Sequence, residues 1–282
     1  EIGKRIEEFI DLGITAIGEV VLPLGGTAHV TSEMSGEFLD KLLDETDKYD
    51  IPILLHTGAG MKGIRQAVEI CAGRRMHLCH VGSTCAGDSI AKAIALLEDN
   101  PNITTDTHLS EVAGSTSRSS KLVIEYFEKG EVVKINPETF EATPIKDLAS
   151  AEPPFYYNKV NLFENNVTCA LSDRVEAIEC DELGDGIRAR IMLKNLFKLV
   201  NSVALEHARI KLLRRLIAKL TVNPARILKI SRGTLGEGVP ADVVILDLKE
   251  ERVKTVFVNG EKVLDEGIPT GRKPGRRILY KG

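Results

Sequence analysis

The chain lacks several features that would identify particular classes of protein. It contains no apolar run near the roughly 20 residues that a membrane-spanning helix needs, and no charged-then-apolar leader of a signal peptide. It also lacks a long basic patch, and its net charge of −4 provides no electrostatic footprint for nucleic acid. We therefore expect a cytoplasmic protein that binds a small-molecule substrate and neither a membrane nor nucleic acid.

The cysteines and the amino terminus add two further expectations. Five cysteines at irregular spacing form neither a disulfide framework nor a C-x-x-C zinc pattern, which favours a reducing compartment. The sequence begins at Glu1 without an initiator methionine, and residues 4–12 already have the spacing of an amphipathic helix. We expect from this that the chain is a fragment or a processed protein.

Strand-like and helix-like segments alternate from residue 1 to about residue 231, which is typical of β-α units around a parallel sheet. Apolar residues at helical spacing predict helices between the strands. After this segment, short alternating strands follow, and Asn259-Gly260 predicts a tight hairpin because both positions tolerate a positive φ. The pattern predicts an α/β domain at residues 1–231 and a small β subdomain at residues 232–282. Predicted strands of the first domain cover residues 14–19, 51–56, 76–80, 102–107 and 167–173, and predicted helices cover residues 35–46, 63–71 and 89–97.

Four side chains that can bind metal each end a predicted strand: Glu19, His56, His80 and Asp173. Side chains at the carboxyl ends of parallel strands meet at one mouth of an α/β barrel. Imidazole nitrogen and carboxylate oxygen are ligands of zinc and related metals, and a bound metal lowers the pKa of water to about 7. We therefore predict a metal-dependent hydrolase in which Asp173 takes and returns the proton.

The other histidines are weaker candidates for this site. His77 and His80 are three residues apart on one strand, so their side chains point to opposite faces and only one can enter the barrel mouth. We select His80, which is nearer the strand end. His29 is expected in a surface loop, and His207 is expected to be a structural residue within a helix.

Asp106 and His108 stand two residues apart at the end of the strand predicted at residues 102–107. Residues two apart on a strand share a face. We assign both to substrate binding or to hydrogen bonds around the metal ligands, and a solvated pair remains the alternative.

Several segments resemble the amidohydrolase superfamily. Residues 76–84, Met-His-Leu-Cys-His-Val-Gly-Ser-Thr, and residues 103–109, Ile-Thr-Thr-Asp-Thr-His-Leu, resemble the region from strand 6 into strand 7 of dihydroorotases and hydantoinases. Leu171-Ser-Asp173 resembles the strand 8 motif with the proton-transfer aspartate. The resemblance implies strands 4–8 of a (β/α)8 TIM-like barrel with a small carboxyl-terminal β-sandwich. The segments similar to the return from barrel to sandwich are residues 221–228, 238–247 and 256–263.

The resemblance also implies a set of ligands and an activity. It implies His56 and His80 as ligands of one metal, Glu19 as a ligand able to bridge two metals, and Asp173 as ligand and proton shuttle. The implied reaction is hydrolysis of a C–N bond in a cyclic amide, an N-acyl amino acid or a related amide. Zinc is the expected metal, as one or two ions. Enamidases and N-acyl-amino-acid deacylases are further branches that the chain resembles. Relatives of this kind are often homo-oligomers, which makes a homo-oligomer one expectation for this protein.

The sequence departs from the family pattern in two respects. The H-x-H pair of strand 1 is absent, and Glu19 stands where many relatives have a carboxylated lysine. The missing pair predicts that this chain alone is inactive, whereas the intact protein is expected to hydrolyse the C–N bond; an upstream strand ending in H-x-H would favour the enzyme, and its absence the scaffold. Two alternatives stay open: deamination of an aminated ring by similar metal chemistry, and a non-catalytic amidohydrolase-like scaffold protein.

Overall fold

The computed structural model describes residues 1–22, 36–58, 60–87 and 90–279. The chain divides into two compact units, of which the larger is residues 17–195 and the smaller combines residues 1–16 with residues 196–282. The division into domains at residues 231 and 232 stays a prediction. His29 lies outside the described residues.

The described strands and helices follow the alternation of the sequence. The strands are β1 (Ile17–Leu22), β2 (Ile53–Thr57), β3 (Met76–Leu78), β4 (Ile103–His108), β5 (Ala113–Ser115), β6 (Val133–Ile135), β7 (Ala142–Pro144), β8 (Phe155–Tyr157), β9 (Ala177–Glu179), β10 (Val243–Asp247), β11 (Arg252–Val258), β12 (Glu261–Asp265) and β13 (Ile268–Pro269). The helices are α1 (Ile2–Asp11), α2 (Gly36–Asp47), α3 (Gly60–Cys71), α4 (Val81–Thr84), α5 (Ile90–Glu98), α6 (Lys121–Glu128), α7 (Leu162–Leu171), α8 (Ile187–Asn201), α9 (Glu206–Leu220) and α10 (Val222–Ile227).

A five-stranded parallel sheet forms the centre of the larger unit, with the strand order β1-β2-β3-β4-β9. Helices α2, α3 and α5 connect its first four strands, as predicted. The apolar residues Ile53, Leu55 and Met76 have no solvent exposure, as expected for strands covered on both faces. The prediction of an α/β fold with a parallel sheet is confirmed.

The strand predicted at residues 167–173 is wrong, because this segment belongs to helix α7 and the turn after it. The buried positions of α7 are Leu162, Asn165, Asn166, Cys169 and Ala170, which recur at helical spacing along one face. A short apolar run can be read as either a strand or a helix segment. The fifth strand of the sheet is instead β9, which is only three residues long.

Two smaller shifts change the positions of predicted site residues. Strand β1 begins at Ile17 and ends at Leu22, so Glu19 lies within the strand rather than at its end. Strand β3 ends at Leu78, and His80 therefore lies in the turn that follows.

An antiparallel sheet with the order β5-β8-β6-β7 is inserted between β4 and α7. The segments 113–120 and 129–154, predicted as a loop and as irregular structure, contribute short strands to it. Three-residue strands carry too little alternation to be recognised in a sequence. The sheet packs through Phe155 and Tyr157 against Val123 of α6, and these side chains form a small core.

The smaller unit contains a four-stranded antiparallel sheet, β10-β11-β12-β13. Asn259 and Gly260 connect β11 to β12 with φ angles of 48° and 81°, so the predicted hairpin is confirmed. Its helices include α9 and α10. Among the described residues of the whole chain, no helix is long and apolar enough to cross a membrane.

Candidate metal centre

Three side chains from neighbouring strands converge at the carboxyl ends of the parallel sheet. Glu19 on β1 places its Oε1 atom 3.1 Å from His56 Nδ1 on β2 and 2.9 Å from His80 Nε2, just after β3. The rings of His56 and His80 pack edge to face with centroids 4.5 Å apart. The sequence predicted these three residues as ligands, and the structure brings them together.

The electrostatics of the three side chains favour an ionised carboxylate. Hydrogen bonds from the His56 and His80 imidazoles lower the pKa of Glu19 far below its ordinary value and outweigh the effect of burial. Burial by itself would lower the pKa of His80, but the hydrogen bond to Glu19 and the charges of Glu179 and Asp181 raise it. The negative charge of Glu19 therefore lies beside both imidazoles, and the charges of Glu179 and Asp181 also act on His80.

The turn after β3 directs His80 toward Glu19. His80 has a left-handed backbone with φ of 39°, which non-glycine residues seldom adopt. Its backbone N–H donates to the Asp106 carboxylate, whose other oxygen lies 2.9 Å from His77 Nε2. His77 Nδ1 in turn lies 2.9 Å from Thr104 Oγ1. The buried Asp106, predicted near the substrate, therefore supports the conformation of the His80 turn.

Gly82 in α4 lets the turn pack closely against its neighbours. A Cβ atom on Gly82 would lie 2.7 Å from Thr107 Oγ1 and still closer to Asn166 Oδ1. We expect Gly82→Ala to lower the free energy of unfolding by about 1–3 kcal/mol, the usual cost of forced overpacking, in urea unfolding monitored by circular dichroism.

Gly275→Ala is a matched control, because a Cβ atom there would meet nothing within 4 Å. This substitution should change the free energy of unfolding by no more than about 0.5 kcal/mol. Equal effects of the two substitutions would contradict the close packing at Gly82.

His108 and Glu179 lie next to His80 on the neighbouring strands β4 and β9. Strands β4 and β9 pair so that His108 stands directly opposite Glu179, and His108 Nδ1 lies 2.6 Å from Glu179 Oε1. The ring of His108 stacks on that of His80 with centroids 5.4 Å apart. His108 is only 1% exposed, and neither of its ring nitrogens has a well-aligned hydrogen-bond partner among the described residues. A buried imidazole of this kind is suited to contact a bound group.

Asp173 does not lie at the position predicted for it. It stands in the turn between α7 and β9, at the amino end of β9, whereas His56 lies near the carboxyl end of β2 and His80 just after the carboxyl end of β3. The acid beyond the carboxyl end of β9 is Asp181, whose pKa is lowered in part by the charges of His80 and His108. Asp181, rather than Asp173, is therefore the acid that follows β9 at this edge of the sheet.

Arg188, at the start of α8, forms an ion pair with Asp181. It is 1% exposed, and its Nη1 atom donates to Asp181 Oδ2 at 2.7 Å and to the Asp181 backbone carbonyl. Burial raises the pKa of Asp181, but the Arg188 charge and the nearby imidazoles lower it below its ordinary value. The sequence analysis did not identify Asp181 or Arg188 as site residues. The one local signal was a pair of acids, Glu179 and Asp181, at the end of a short apolar run.

The donor atoms fit a divalent metal. One carboxylate oxygen and two imidazole nitrogens, from Glu19, His56 and His80, lie within 4.8 Å of one another. This combination of ligands is the one that zinc binds in catalytic sites with an open position.

A second group, His77, Cys79 and Asp106, is equally compact. However, His77 and Asp106 already bond to each other, and burial raises the pKa of the Cys79 thiol. Metals bind the thiolate form of cysteine, so this second group fits a metal less well than the first.

A cleft of about 790 Å³ in the larger unit is lined by the inserted sheet and by Lys159. Burial, together with the charge of Arg188, lowers the pKa of Lys159 to about 8, against an opposing effect of Asp181. Lys129 lines the same cleft, but its ion pair with Glu125 raises its pKa.

These pKa values predict different reactivities for the two lysines. At pH 8 roughly half of the Lys159 amines should be neutral and nucleophilic, compared with less than about 1% for a lysine with an ordinary pKa of about 10.4. We expect amine-directed acetylation, followed by mass spectrometry, to label Lys159 about tenfold or more faster than Lys129 at pH 8. The ratio should fall as the pH rises toward 10, and faster labelling of Lys129 at pH 8 would contradict the lowered pKa.

Solved structures provide an independent comparison. A D-aminoacylase matches with a TM-score of 0.64 and 14% identity, covering 87% of this chain and 60% of that chain. The L-hydantoinase (dihydropyrimidinase) of Arthrobacter aurescens matches with a TM-score of 0.61 and 14% identity, covering 99% of this chain and 71% of that chain. A formyltransferase/hydrolase complex of Methylorubrum extorquens matches with a TM-score of 0.56 and 18% identity, covering 96% of this chain and 56% of that chain.

At these identities the matches establish similarity of fold, and the chain spans about 60% of the length of the D-aminoacylase chain. No curated protein sequence matches the chain. A family model described as the amidohydrolase family matches residues 4–263, which is most of the sequence. Together with the convergence of Glu19, His56 and His80, this match identifies the chain as a member of the amidohydrolase family.

Proposed function

We propose that the protein hydrolyses a C–N bond in a cyclic amide, an N-acyl amino acid or a related amide. The observation that carries this proposal is the Glu19 carboxylate between the imidazoles of His56 and His80, at the carboxyl ends of adjacent parallel strands. Membership of the amidohydrolase family supports the same reaction class.

The proposed cofactor is a divalent metal, with zinc as the expected ion, held by Glu19, His56 and His80. When bound, such a metal polarises a carbonyl group and lowers the pKa of water to about 7. His80 is held in place for this role by Asp106, which accepts its backbone N–H.

The remaining residues of the site are proposed to bind substrate and move protons. Asp181 takes a proton from the attacking water and delivers it to the leaving nitrogen, as a general base and then a general acid. Arg188 positions the Asp181 carboxylate through their 2.7 Å hydrogen bond. His108, buried with unaligned ring nitrogens, contacts the substrate carbonyl oxygen.

We also propose a more detailed assignment of the fold. We assign the five parallel strands β1, β2, β3, β4 and β9 to strands 4–8 of a (β/α)8 barrel. The antiparallel strands β10–β13 are assigned to a small β-sandwich. The similarity to solved amidohydrolase structures supports this assignment.

Metal analysis and hydrolysis assays test the proposed function on the protein expressed from its complete coding region. We expect at least one divalent metal per chain by mass spectrometry, and hydrolysis of a compound in a panel of hydantoin, dihydroorotate and N-acetyl-leucine. Removing the metal with a chelator should abolish hydrolysis, and added zinc should restore it. Protein without stoichiometric metal, or hydrolysis insensitive to metal removal, would contradict the proposal.

A further inference from the structure

The cleft lined by Lys159 has an apolar and aromatic wall, and Lys159 itself contacts Ser83, three residues after His80. Val133 and Ile135 of β6 line it together with Tyr126 and Tyr157, whose rings stack with centroids 4.8 Å apart. A pocket with such a wall and a few polar groups is typical of a small-molecule site, in which the polar groups determine orientation.

Lys159 lines this cleft, and its hydrogen-bond partners among the described residues are neutral groups. Its Nζ atom has two neutral acceptors, the backbone carbonyl and Oγ of Ser83, at 3.4 and 3.5 Å. Within the part of the chain that the structure describes, no carboxylate forms an ion pair with it. A part-buried ammonium without a counter-ion is unfavourable unless an anion approaches it.

Lys129, which lines the same cleft, has a carboxylate partner. Its Nζ atom lies 2.7 Å from Glu125 Oε1 and 4.9 Å from the centroid of the Tyr126 ring. Lys129 is therefore neutralised by Glu125, whereas no carboxylate of the described residues neutralises Lys159.

The charges near Lys159 favour a singly charged anion. Arg188 and Asp181 both lie close enough to act on the Lys159 ammonium, and Arg188 is already paired with Asp181. Two positive charges and one negative charge leave one positive charge, which a monoanion neutralises. Asp181, the proposed proton shuttle, is one of the two charges that act on Lys159, which connects this cation to the proposed centre.

We propose that Lys159 binds a carboxylate of the substrate while the apolar part of the substrate packs against Tyr126 and Tyr157. The inference rests on the proposed function and narrows its substrates to amides that carry a carboxylate and an apolar group. N-acyl amino acids with apolar side chains have this composition, whereas uncharged amides and unsubstituted hydantoins do not. Lys159 is a specificity-determining residue in this proposal.

The test compares racemic N-acetyl-leucine with its uncharged analogue, N-acetyl-leucinamide, in two measurements on the full-length protein. Calorimetric titration into metal-free protein should show tighter binding of the carboxylate by about tenfold or more, as expected for a hydrogen bond to a charged group. Assays of the metal-loaded protein should show the same preference in kcat/KM for the acetamide bond.

Lys159→Met should remove this preference by weakening binding of N-acetyl-leucine about 10–100-fold, with little change for the amide. Lys159→Arg should retain most of the preference because it keeps the charge. Lys129→Met is the matched control, since it removes a lysine of the same cleft that is already paired, and should leave the preference unchanged.

The two measurements separate failure of this inference from failure of the proposed function. If the protein binds both compounds equally, or if Lys159→Met leaves the preference intact, the carboxylate site is overturned whether or not the protein hydrolyses amides. If the preference depends on Lys159 but the protein has no metal-dependent hydrolysis, the anion site stands and the proposed function fails.

Discussion

Replacement of Asp181 by asparagine is expected to reduce kcat for amide hydrolysis by about 10²–10⁴-fold, the usual contribution of a positioned general acid-base group. Asparagine has nearly the same shape, and its carbonyl oxygen can still accept the hydrogen bond from Arg188 that Asp181 Oδ2 accepts at 2.7 Å. It cannot take up a proton at neutral pH. Because Asp181 is not among the three proposed ligands, the metal content should remain unchanged, and metal analysis beside steady-state kinetics measures both effects.

Asp173→Asn is the matched control for this experiment. The substitution is chemically identical, but Asp173 lies at the amino end of β9, away from the strand ends that carry the histidines. We expect its kcat to stay within about twofold of the unmodified enzyme, as for surface substitutions away from special features. A large loss in Asp173→Asn together with normal activity in Asp181→Asn would return the proton shuttle to Asp173.

Replacement of His80 by asparagine is expected to weaken metal binding by more than about 100-fold. Loss of a residue that merely orients a metal ligand already costs about 10–100-fold, and His80 is itself one of three proposed donors. Asparagine is suitable because it tolerates the left-handed backbone at this position, where φ is 39°. Zinc titration of the metal-free protein measures the affinity, and hydrolysis should be lost in parallel.

His207→Asn controls for the loss of an imidazole as such. His207 is exposed on α9 in the smaller unit, which does not contain the candidate metal centre. Metal affinity and hydrolysis should be unchanged in this variant. If His80→Asn binds zinc as tightly as the unmodified protein, the assignment of His80 as a ligand is wrong.

Much of the candidate centre could be predicted from local sequence. His56 and His80 each follow a short apolar run with a turn after it, and such runs become buried parallel strands whose carboxyl ends meet. Glu19 was identified in the same way, even though β1 begins three residues later than predicted. In each of these cases the candidate ligand lies in, or directly after, the strand that positions it.

The acid proposed as the proton shuttle, Asp181, could not be identified in this way. Residues 167–173 contain a short apolar run followed by Ser-Asp, and they also resemble a family motif, but buried positions at helical spacing make the segment part of α7. Strand β9 contributes only three residues, Ala177–Glu179, which is too few to show a periodic pattern. Choosing between the two acids depends on which segment pairs with β4, and that is a long-range contact.

The sequence by itself determined the α/β class, the hairpin at Asn259 and Gly260, and the histidines of the candidate metal centre, because each depends on residues close together in the chain. Only the tertiary structure decided that Asp181 rather than Asp173 faces the histidines and that Asp106 supports the His80 turn. It also decided that Lys159 lines the cleft and has no carboxylate partner within the part of the chain that the structure describes. These features arise from contacts between distant segments, which periodicity and spacing do not encode.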